Sequence, residues 1–214
     1  MKLIITDTNV FFDIISIGAL PEFFALDFEI CTTDFVAKEI LESDQKVQIE
    51  SFIRAKKLNV FKLTAEEIEG IRNFTTKRFF KGITDKTVLW KSHQLKCPLL
   101  TGDKKLRNEA EDLKIEVHGS IWVINEFIEK EIIAKAKGAE LLEKLKQINA
   151  SLPHDEIDRL IKRLKLKTEA DGIKLRMVEI YFSWQDNIFS RKSRNICITT
   201  KFIPWAKHKC LSIK

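Results

Sequence analysis

The sequence lacks any apolar run approaching the roughly 20 residues that a helix needs to cross a bilayer. Near its start, the apolar run Leu3–Ile5 soon gives way to Asp7, which is too early for the apolar core of a signal peptide. The composition is otherwise ordinary for a folded protein, with 44% hydrophobic and 32% charged residues, so global disorder is not expected. We therefore expect a soluble, cytoplasmic protein that makes no membrane contact.

Cysteine is scarce, and glycine-rich phosphate-binding motifs are missing. The four cysteines, at positions 31, 97, 197 and 210, form no CxxC pair, so we expect reduced thiols and not a disulfide framework. Cys197, His208 and Cys210 lack the fourth ligand and the regular spacing of a zinc site. Neither GxGxxG nor GxxxxGKS/T occurs, and a nucleotide cofactor is therefore not expected.

The net charge of +6 is unevenly distributed along the chain. Residues 1–166 carry 27 basic and 27 acidic side chains, whereas residues 167–214 carry 10 basic and 4 acidic ones. The basic character therefore belongs to the tail and does not indicate that the main body binds nucleic acid. We predict a domain at 1–166 and a basic, aromatic-containing extension at 167–214, for which poor packing is favoured over an RNA-binding strip.

Five short apolar runs have the length of strands, and several are rich in β-branched residues. They are Leu3–Thr6, Phe28–Thr32, Asn59–Leu63, Cys97–Thr101 and Ile115–His118. Stretches with helical periodicity separate them. This alternation predicts an α/β fold, a three-layer α/β/α sandwich around a mostly parallel sheet of about five strands.

After residue 119 the pattern is helical throughout. Two or three helices are expected at 120–165, as extra C-terminal helices of the predicted domain. Pro153 is unsuited to a helix interior and predicts a break before a last helix at about 155–165.

Two aspartates follow predicted strands. Asp7 comes directly after Leu3–Thr6, and Asp103 comes shortly after Cys97–Thr101. Because the functional crevice of a parallel sheet lies beyond the carboxyl ends of its strands, both positions favour a site role. The alternative for each is a helix N-cap, a position at which Asp is also favoured.

Two further carboxylates lie on predicted helices. Glu39 stands three residues after Val36 and beside Ile40, so we expect it to border the apolar face of its helix. Asp85 follows Thr84, which we expect to be an N-cap, and shares the inward face of the helix. The alternatives are a solvated glutamate and a first-turn aspartate that complements the helix dipole.

Carboxylates gathered at one crevice repel one another unless a cation lies between them. Hard oxygen ligands of this kind suit Mg²⁺ or Mn²⁺. Two such metals can activate water and stabilise the leaving oxygen in an in-line attack on a phosphodiester. Asp7, Glu39, Asp85 and Asp103 are therefore the candidate catalytic and metal-binding set.

The sequence resembles the PIN domain family, which includes the toxin nucleases of toxin–antitoxin pairs. The resemblance covers about residues 1–165. Its motifs are Ile5-Thr6-Asp7-Thr8-Asn9, Val36-Ala37-Lys38-Glu39-Ile40, Ile83-Thr84-Asp85 and Leu99-Leu100-Thr101-Gly102-Asp103-Lys104-Lys105-Leu106. No single motif is specific to the family, whereas their order and spacing are typical of it.

The resemblance implies a metal-dependent endoribonuclease that cleaves RNA. The residues that match the family's acidic metal-binding positions are Asp7, Glu39, Asp85 and Asp103. Thr8, Asn9 and Thr101 match supporting polar positions, and Asn9 would orient carboxylates by hydrogen bonds. The resemblance also implies a homodimer and, for a toxin, a cognate antitoxin partner. The long helical region after residue 120 and the tail from 167 depart from the family pattern.

Two other functions compete with the ribonuclease. One is a PIN fold kept as a catalytically silent binding or regulatory module. The other is an aspartyl phosphohydrolase of the haloacid dehalogenase type, which Asp7 and the segment Thr101–Asp103 also suggest. Such enzymes usually carry a second aspartate two positions after the first, where this sequence has Asn9.

Overall fold

The computed structural model describes residues 2–41, 45–80 and 82–192. Contacts divide the chain into two compact units, Met1–Thr168 and Glu169–Lys214. The first unit holds all five strands and the candidate site. Cys197, His208 and Cys210, weighed above as zinc ligands, lie outside the described residues. The predicted division at residue 166 stays a prediction.

A five-stranded, fully parallel sheet forms the centre of the first unit, in the order β3-β2-β1-β4-β5. The strands are β1 (Lys2–Thr6), β2 (Phe28–Thr33), β3 (Asn59–Phe61), β4 (Leu99–Leu100) and β5 (Val117–His118). Ile5 of β1 pairs with Cys31 of β2 and with Leu99 of β4. These residues are buried because helices flank the sheet. The predicted α/β class and the five strands are thereby confirmed.

The direction in which strands are added reverses beside β1. From β1 the chain moves to β2 and β3 on one side and then crosses to β4 and β5 on the other. In open parallel sheets a crevice forms at this switch point, beyond the carboxyl ends of the two central strands. Asp7 follows β1 directly, and residues 101–103 follow β4.

Ten helices lie among the described residues. They are α1 (Thr8–Ser16), α2 (Leu20–Phe23), α3 (Asp34–Leu41), α4 (Lys46–Arg54), α5 (Ala65–Asn73), α6 (Ile83–Leu95), α7 (Lys104–Asp112), α8 (Ser120–Glu129), α9 (Lys135–Ile148) and α10 (His154–Lys192). Helix α1 packs with α8 and α9, and α6 packs with α5 and α7. Within the described ranges, no helix combines the length and the hydropathy of a membrane span.

Two helix boundaries differ from the sequence-based expectation. Helix α6 is capped by Gly82 in an extended conformation and begins at Ile83, so Thr84 lies in the first turn and is not the N-cap. Helix α10 starts after Pro153 as expected but runs to Lys192, well past residue 165. No proline follows Pro153 until Pro204, and a single interior glycine costs a helix only about 1 kcal/mol, so the sequence holds no strong stop signal near 165.

Candidate active site at the carboxyl edge of the sheet

Asp7 is the most buried of the four candidate carboxylates, with 2% of its surface exposed. Its Oδ1 accepts a 2.8 Å hydrogen bond from the Thr8 backbone N–H, as the N-cap of α1. Its Oδ2 accepts from Thr101 Oγ1 at 2.9 Å and, at the longer distance of 3.4 Å, from Asn9 Nδ2. The N-cap role is therefore real, but it involves only one oxygen, while the other faces the end of β4.

Thr101 and Asp103 lie in the segment that follows strand β4. The fully buried Thr101 hydroxyl donates to Asp7 and accepts from the Asp103 backbone N–H at 3.1 Å. Asp103 caps α7, since its Oδ1 accepts from the Leu106 N–H at 2.7 Å. Within the described part of the chain, Asp103 Oδ2 has no hydrogen-bond donor. Asp103 is half-buried, so that oxygen is available to a ligand.

Glu39 is exposed on α3, whereas the sequence predicted that it would border the apolar face of that helix. Its neighbours Val36 and Ile40 fill the buried positions of that helix instead. Glu39 is nevertheless directed to the same edge of the sheet, because its Oε2 accepts a 2.7 Å hydrogen bond from the buried Thr8 hydroxyl. Thr8 therefore orients Glu39, while Asn9 makes only the long contact to Asp7.

Asp85 lies in the first turn of α6 and is half-buried. It makes no hydrogen bond or ion pair with any residue that the structure describes. Nearby charges act on its carboxylate: the negative charges of Asp103 and Glu39 repel it, and the positive charge of Lys105 attracts it. Asp85 thus contributes a half-buried, weakly compensated negative charge to the site.

Burial and mutual repulsion raise the pKa values of two of these carboxyls. Desolvation by burial is the main cause of the rise in the pKa of Asp7 to about 7, and Asp85 and Glu39 add to it. The hydrogen bonds from Thr101 and the Thr8 N–H oppose that rise. Desolvation also raises the pKa of Asp85, with further contributions from Asp103 and Glu39. All four carboxylates therefore interact with one another through Asp7 or Asp85.

The donor set can be compared with the needs of a metal ion. In residues 2–41, 45–80 and 82–192, no three side chains of His, Cys, Asp or Glu already stand close enough to share one ion. The chemistry of the set nevertheless fits a hard divalent cation, because it offers several carboxylate oxygens whose charges are desolvated and repel one another. A cation between them would offset that repulsion and draw the side chains together.

A cleft of about 460 Å³ opens next to Thr101 and Gly102. Its lining residues include Lys104, Arg107, His118 and Trp122, and the last two stack at 3.9 Å between ring centroids. Arg107 donates to the carbonyl oxygens of Thr101 and Val117, at 3.2 Å and 3.3 Å, and so links the ends of β4 and β5. The sequence did not predict a role for Arg107, because its hydrogen-bond acceptors are backbone carbonyls and no side-chain motif indicates them.

The parallel sheet and its acidic edge define an α/β protein with a carboxylate site at the switch point of the sheet. A family model described as a PIN domain matches residues 3–166. The chain belongs to the PIN domain family. Proteins of that family are generally nucleases.

Among curated proteins, none matches the sequence. Solved structures do match. A PilT N-terminus domain protein from the hyperthermophilic archaeon Sulfolobus solfataricus is 12% identical, with a TM-score of 0.42 over 60% of this chain and 95% of that one. VapBC2 from Rickettsia felis, bound to a DNA fragment from its promoter, is 16% identical, with a TM-score of 0.39 over 55% and 98%. Because both TM-scores are below 0.5, the family assignment rests on the match over residues 3–166.

Proposed function

We propose that the chain is a Mg²⁺- or Mn²⁺-dependent endoribonuclease. The observation that carries the proposal is the set of hydrogen bonds at the switch point of the sheet, where Thr8 donates to Glu39 and Thr101 contacts both Asp7 and Asp103. Membership of the PIN domain family supports a nuclease. The family resemblance supports RNA as the substrate. The divalent cation is supported by that resemblance together with the oxygen-rich donor set.

The four carboxylates would hold the cation, and the threonines would position them. When bound, a divalent cation supplies positive charge that attracts a phosphodiester and makes water a better nucleophile. Thr101 fixes Asp7 Oδ2, and Thr8 fixes Glu39 Oε2, so both carboxylates keep their orientation before substrate arrives. Such outer hydrogen bonds typically change metal affinity or activity about 10–100-fold.

Asp7 must be ionised to serve as a ligand. Burial raises the pKa of Asp7 to about 7, so without a cation its ionisation is less favourable than that of an exposed aspartate. The hydrogen bonds from Thr101 and the Thr8 N–H favour the charged form.

The proposal is tested by incubating the full-length chain with RNA in the presence of Mg²⁺ or Mn²⁺, with and without EDTA. We expect cleavage that EDTA stops and that Asp7→Asn abolishes. Asp27→Asn is the matched control, because Asp27 is an exposed aspartate before β2, at the opposite edge of the sheet. Cleavage that persists in EDTA and in Asp7→Asn would refute the proposal.

The two competing functions predict other outcomes. A silent binding module would bind Mn²⁺ tightly without cleaving any RNA. An aspartyl phosphohydrolase would react covalently at Asp7 with a phosphoryl analogue. Burial of Asp7 and the hydrogen bonds to both of its oxygens disfavour a nucleophilic role for this carboxylate.

The homodimer, the antitoxin partner and the cytoplasmic location stay predictions. Analytical ultracentrifugation of the full chain tests the homodimer. Co-expression with the product of a neighbouring small gene tests the antitoxin, which should inhibit the nuclease if the chain is a toxin.

A further inference from the structure

Asp85 is held differently from the other three candidate ligands. Hydrogen bonds orient an oxygen of each of Asp7, Glu39 and Asp103. Among the residues that the structure describes, no hydrogen bond reaches the Asp85 carboxylate, and Gly82, the N-cap of its helix α6, offers no side-chain hydrogen bond. Helix ends fray unless contacts fix them. The position of Asp85 therefore depends on the contacts that fix the start of α6.

Two fully buried threonines join the start of α6 to the end of strand β2. Thr87 Oγ1 donates a 2.6 Å hydrogen bond to the carbonyl oxygen of Thr84, in the peptide group directly before Asp85. The hydroxyl oxygens of Thr33 and Thr87 lie 2.8 Å apart. Because the single hydroxyl proton of Thr87 is directed to Thr84, Thr33 is the donor in this second bond. Two consecutive hydrogen bonds therefore connect β2 to the peptide group that precedes Asp85.

Thr33 also lies next to the helix that carries Glu39. It is the last residue of β2, and α3 begins at the next residue, Asp34. The helices α3 and α6 pack against each other and against β2. The bond between Thr33 and Thr87 therefore sets the separation of two elements, one of which leads to Glu39 while the other carries Asp85.

The separation between β2 and α6 at this point is too short for apolar side chains. The two hydroxyl oxygens are 2.8 Å apart, whereas two carbon atoms in contact lie about 3.5–4.0 Å apart. Valine at both positions would therefore move the start of α6 away from β2 by about 1 Å. Valine at position 87 alone would also remove the acceptor of the buried Thr33 hydroxyl. A displacement of about 1 Å matters for a ligand set, since it can lower a rate about 100-fold.

We propose that Thr33 and Thr87 are positioning residues that place Asp85 among the ligands of the divalent cation. This inference rests on the proposed function and adds to it. The other three carboxylates are oriented by hydrogen bonds to their own oxygens, whereas Asp85 is oriented by the placement of its helix. The two threonines do not contact the ion, so they act on it only through Asp85.

The test is a double-mutant cycle on Mn²⁺ affinity, measured by isothermal titration calorimetry on the full-length chain. We expect Thr87→Val to weaken Mn²⁺ binding about 10-fold, the lower end of the range for groups that orient metal ligands. In the Asp85→Asn background the same substitution should have no further effect, because the ligand that it displaces is already lost. Thr87→Ser keeps the hydroxyl and should retain the wild-type affinity. Equal losses of affinity in the two backgrounds would overturn the proposal.

Thr33→Val and the double variant Thr33→Val/Thr87→Val separate positioning from stability. Thr33→Val keeps the bond from Thr87 to Thr84, so it serves in the cycle if Thr87→Val does not fold. The double variant removes both hydroxyls of the pair, and replacing both partners by apolar groups can be nearly neutral for stability. We expect its urea denaturation midpoint to recover toward the wild-type value while its Mn²⁺ affinity stays low. Recovery of both quantities together would contradict a positioning role.

Ser92→Ala is the matched control. Ser92 is a fully buried hydroxyl on the same helix, seven residues after Asp85, which is about 10 Å along the helix axis. Its removal should leave Mn²⁺ affinity at the wild-type value. A loss in Ser92→Ala as large as that in Thr87→Val would show that any buried change in α6 disturbs the ion, and the proposal would be wrong.

Failure of this inference is distinguishable from failure of the proposed function. If wild type binds Mn²⁺ and cleaves RNA, and the threonine variants do so equally well, only the role of the two threonines is wrong. If wild type binds Mn²⁺ without cleaving RNA, the proposed function is wrong and the cycle on Mn²⁺ affinity still decides the role of the threonines. If wild type neither binds Mn²⁺ nor cleaves RNA, both proposals are wrong.

Discussion

Thr101 Oγ1 lies between two of the candidate metal ligands: it donates a hydrogen bond to Asp7 Oδ2 at 2.9 Å and accepts one from the Asp103 backbone N–H at 3.1 Å. A single hydroxyl thereby ties the carboxyl end of β1 to that of β4, on the two sides of the switch point. Because Thr101 is fully buried, water cannot replace this bond easily. The geometry of the site depends on it, which makes Thr101 a positioning residue.

Thr101→Val tests this role. The hydroxyl lowers the pKa of Asp7, so its removal should raise that pKa further, because a hydrogen bond to the charged form is lost. The rising limb of the pH–rate profile in Mg²⁺ should then move to higher pH. Thr101→Ser, which keeps the hydroxyl, should follow wild type. An unshifted profile in Thr101→Val would contradict the role.

The raised pKa of Asp7 predicts a stability that falls with pH when no divalent cation is present. The pKa rises on folding from 3.8 to about 7, so the folded state binds more protons than the unfolded state between these values. The free energy of unfolding should therefore decrease from about pH 4 to about pH 7. Urea denaturation in EDTA at several pH values measures this slope.

Asp7→Asn should reduce the slope without abolishing it, because burial also raises the pKa values of Asp13 and Asp85. At pH 8 in EDTA the variant should be more stable than wild type. In Mg²⁺ instead of EDTA, the cation should stabilise wild type but not Asp7→Asn. Asp27→Asn should keep the wild-type slope. An equal slope in Asp7→Asn and wild type would show that Asp7 ionises freely.

The fold was largely readable from the sequence because its signals are local. Each strand is a short apolar run, and Asp7 and Asp103 each lie within two residues of the end of such a run. The strand ends alone therefore predicted that both aspartates lie at one edge of the sheet. Asp85 was also recognisable as a first-turn residue, although the N-cap of its helix is Gly82 and not Thr84. The order of the strands themselves follows from long crossovers that no local pattern encodes.

The contacts that shape the site join residues far apart in the sequence, so local sequence patterns could not predict them. Thr8 reaches Glu39 across 31 positions, and Thr101 reaches Asp7 across 94. Glu109 looks like any helical glutamate in the sequence, yet it is buried because the loop at Lys77 and Arg78 closes over it. Such partners are set by how helices pack on the sheet.

Glu109→Gln should destabilise the protein and weaken the nuclease. The amide would place a donor against the loop N–H groups, and leaving buried donors unsatisfied costs about 1–3 kcal/mol. Displacement of residues 74–80, the loop segment after α5, should also disturb Asp85 in the first turn of α6. Urea denaturation and kcat/KM on a single-stranded RNA measure the two effects.

Asp112→Asn is the control for that variant, because Asp112 binds the same Arg78 but is partly exposed. A partly exposed ion pair contributes less than about 1 kcal/mol, so this change should alter the free energy of unfolding little. Equal losses in both variants would show that the arginine, and not the buried carboxylate, holds the loop.

Thr8→Val should weaken the metal site through Glu39. Without the 2.7 Å hydrogen bond from Thr8, the exposed Glu39 side chain would lose its orientation. We expect Mn²⁺ affinity to fall about 10-fold, as for other hydrogen-bond partners of metal ligands. Isothermal titration calorimetry measures the loss, and Thr8→Ser should restore most of it. Unchanged affinity would mean that Glu39 does not take part in binding the ion.

Asp7, Glu39, Asp85 and Asp103 should share a divalent cation at the carboxyl edge of the sheet. Anomalous diffraction from a crystal soaked in Mn²⁺ tests it most directly. We predict an anomalous peak within about 2.5 Å of carboxylate oxygens from Asp7 and at least one of its three partners. A peak bound elsewhere, or none at saturating Mn²⁺, would contradict the claim.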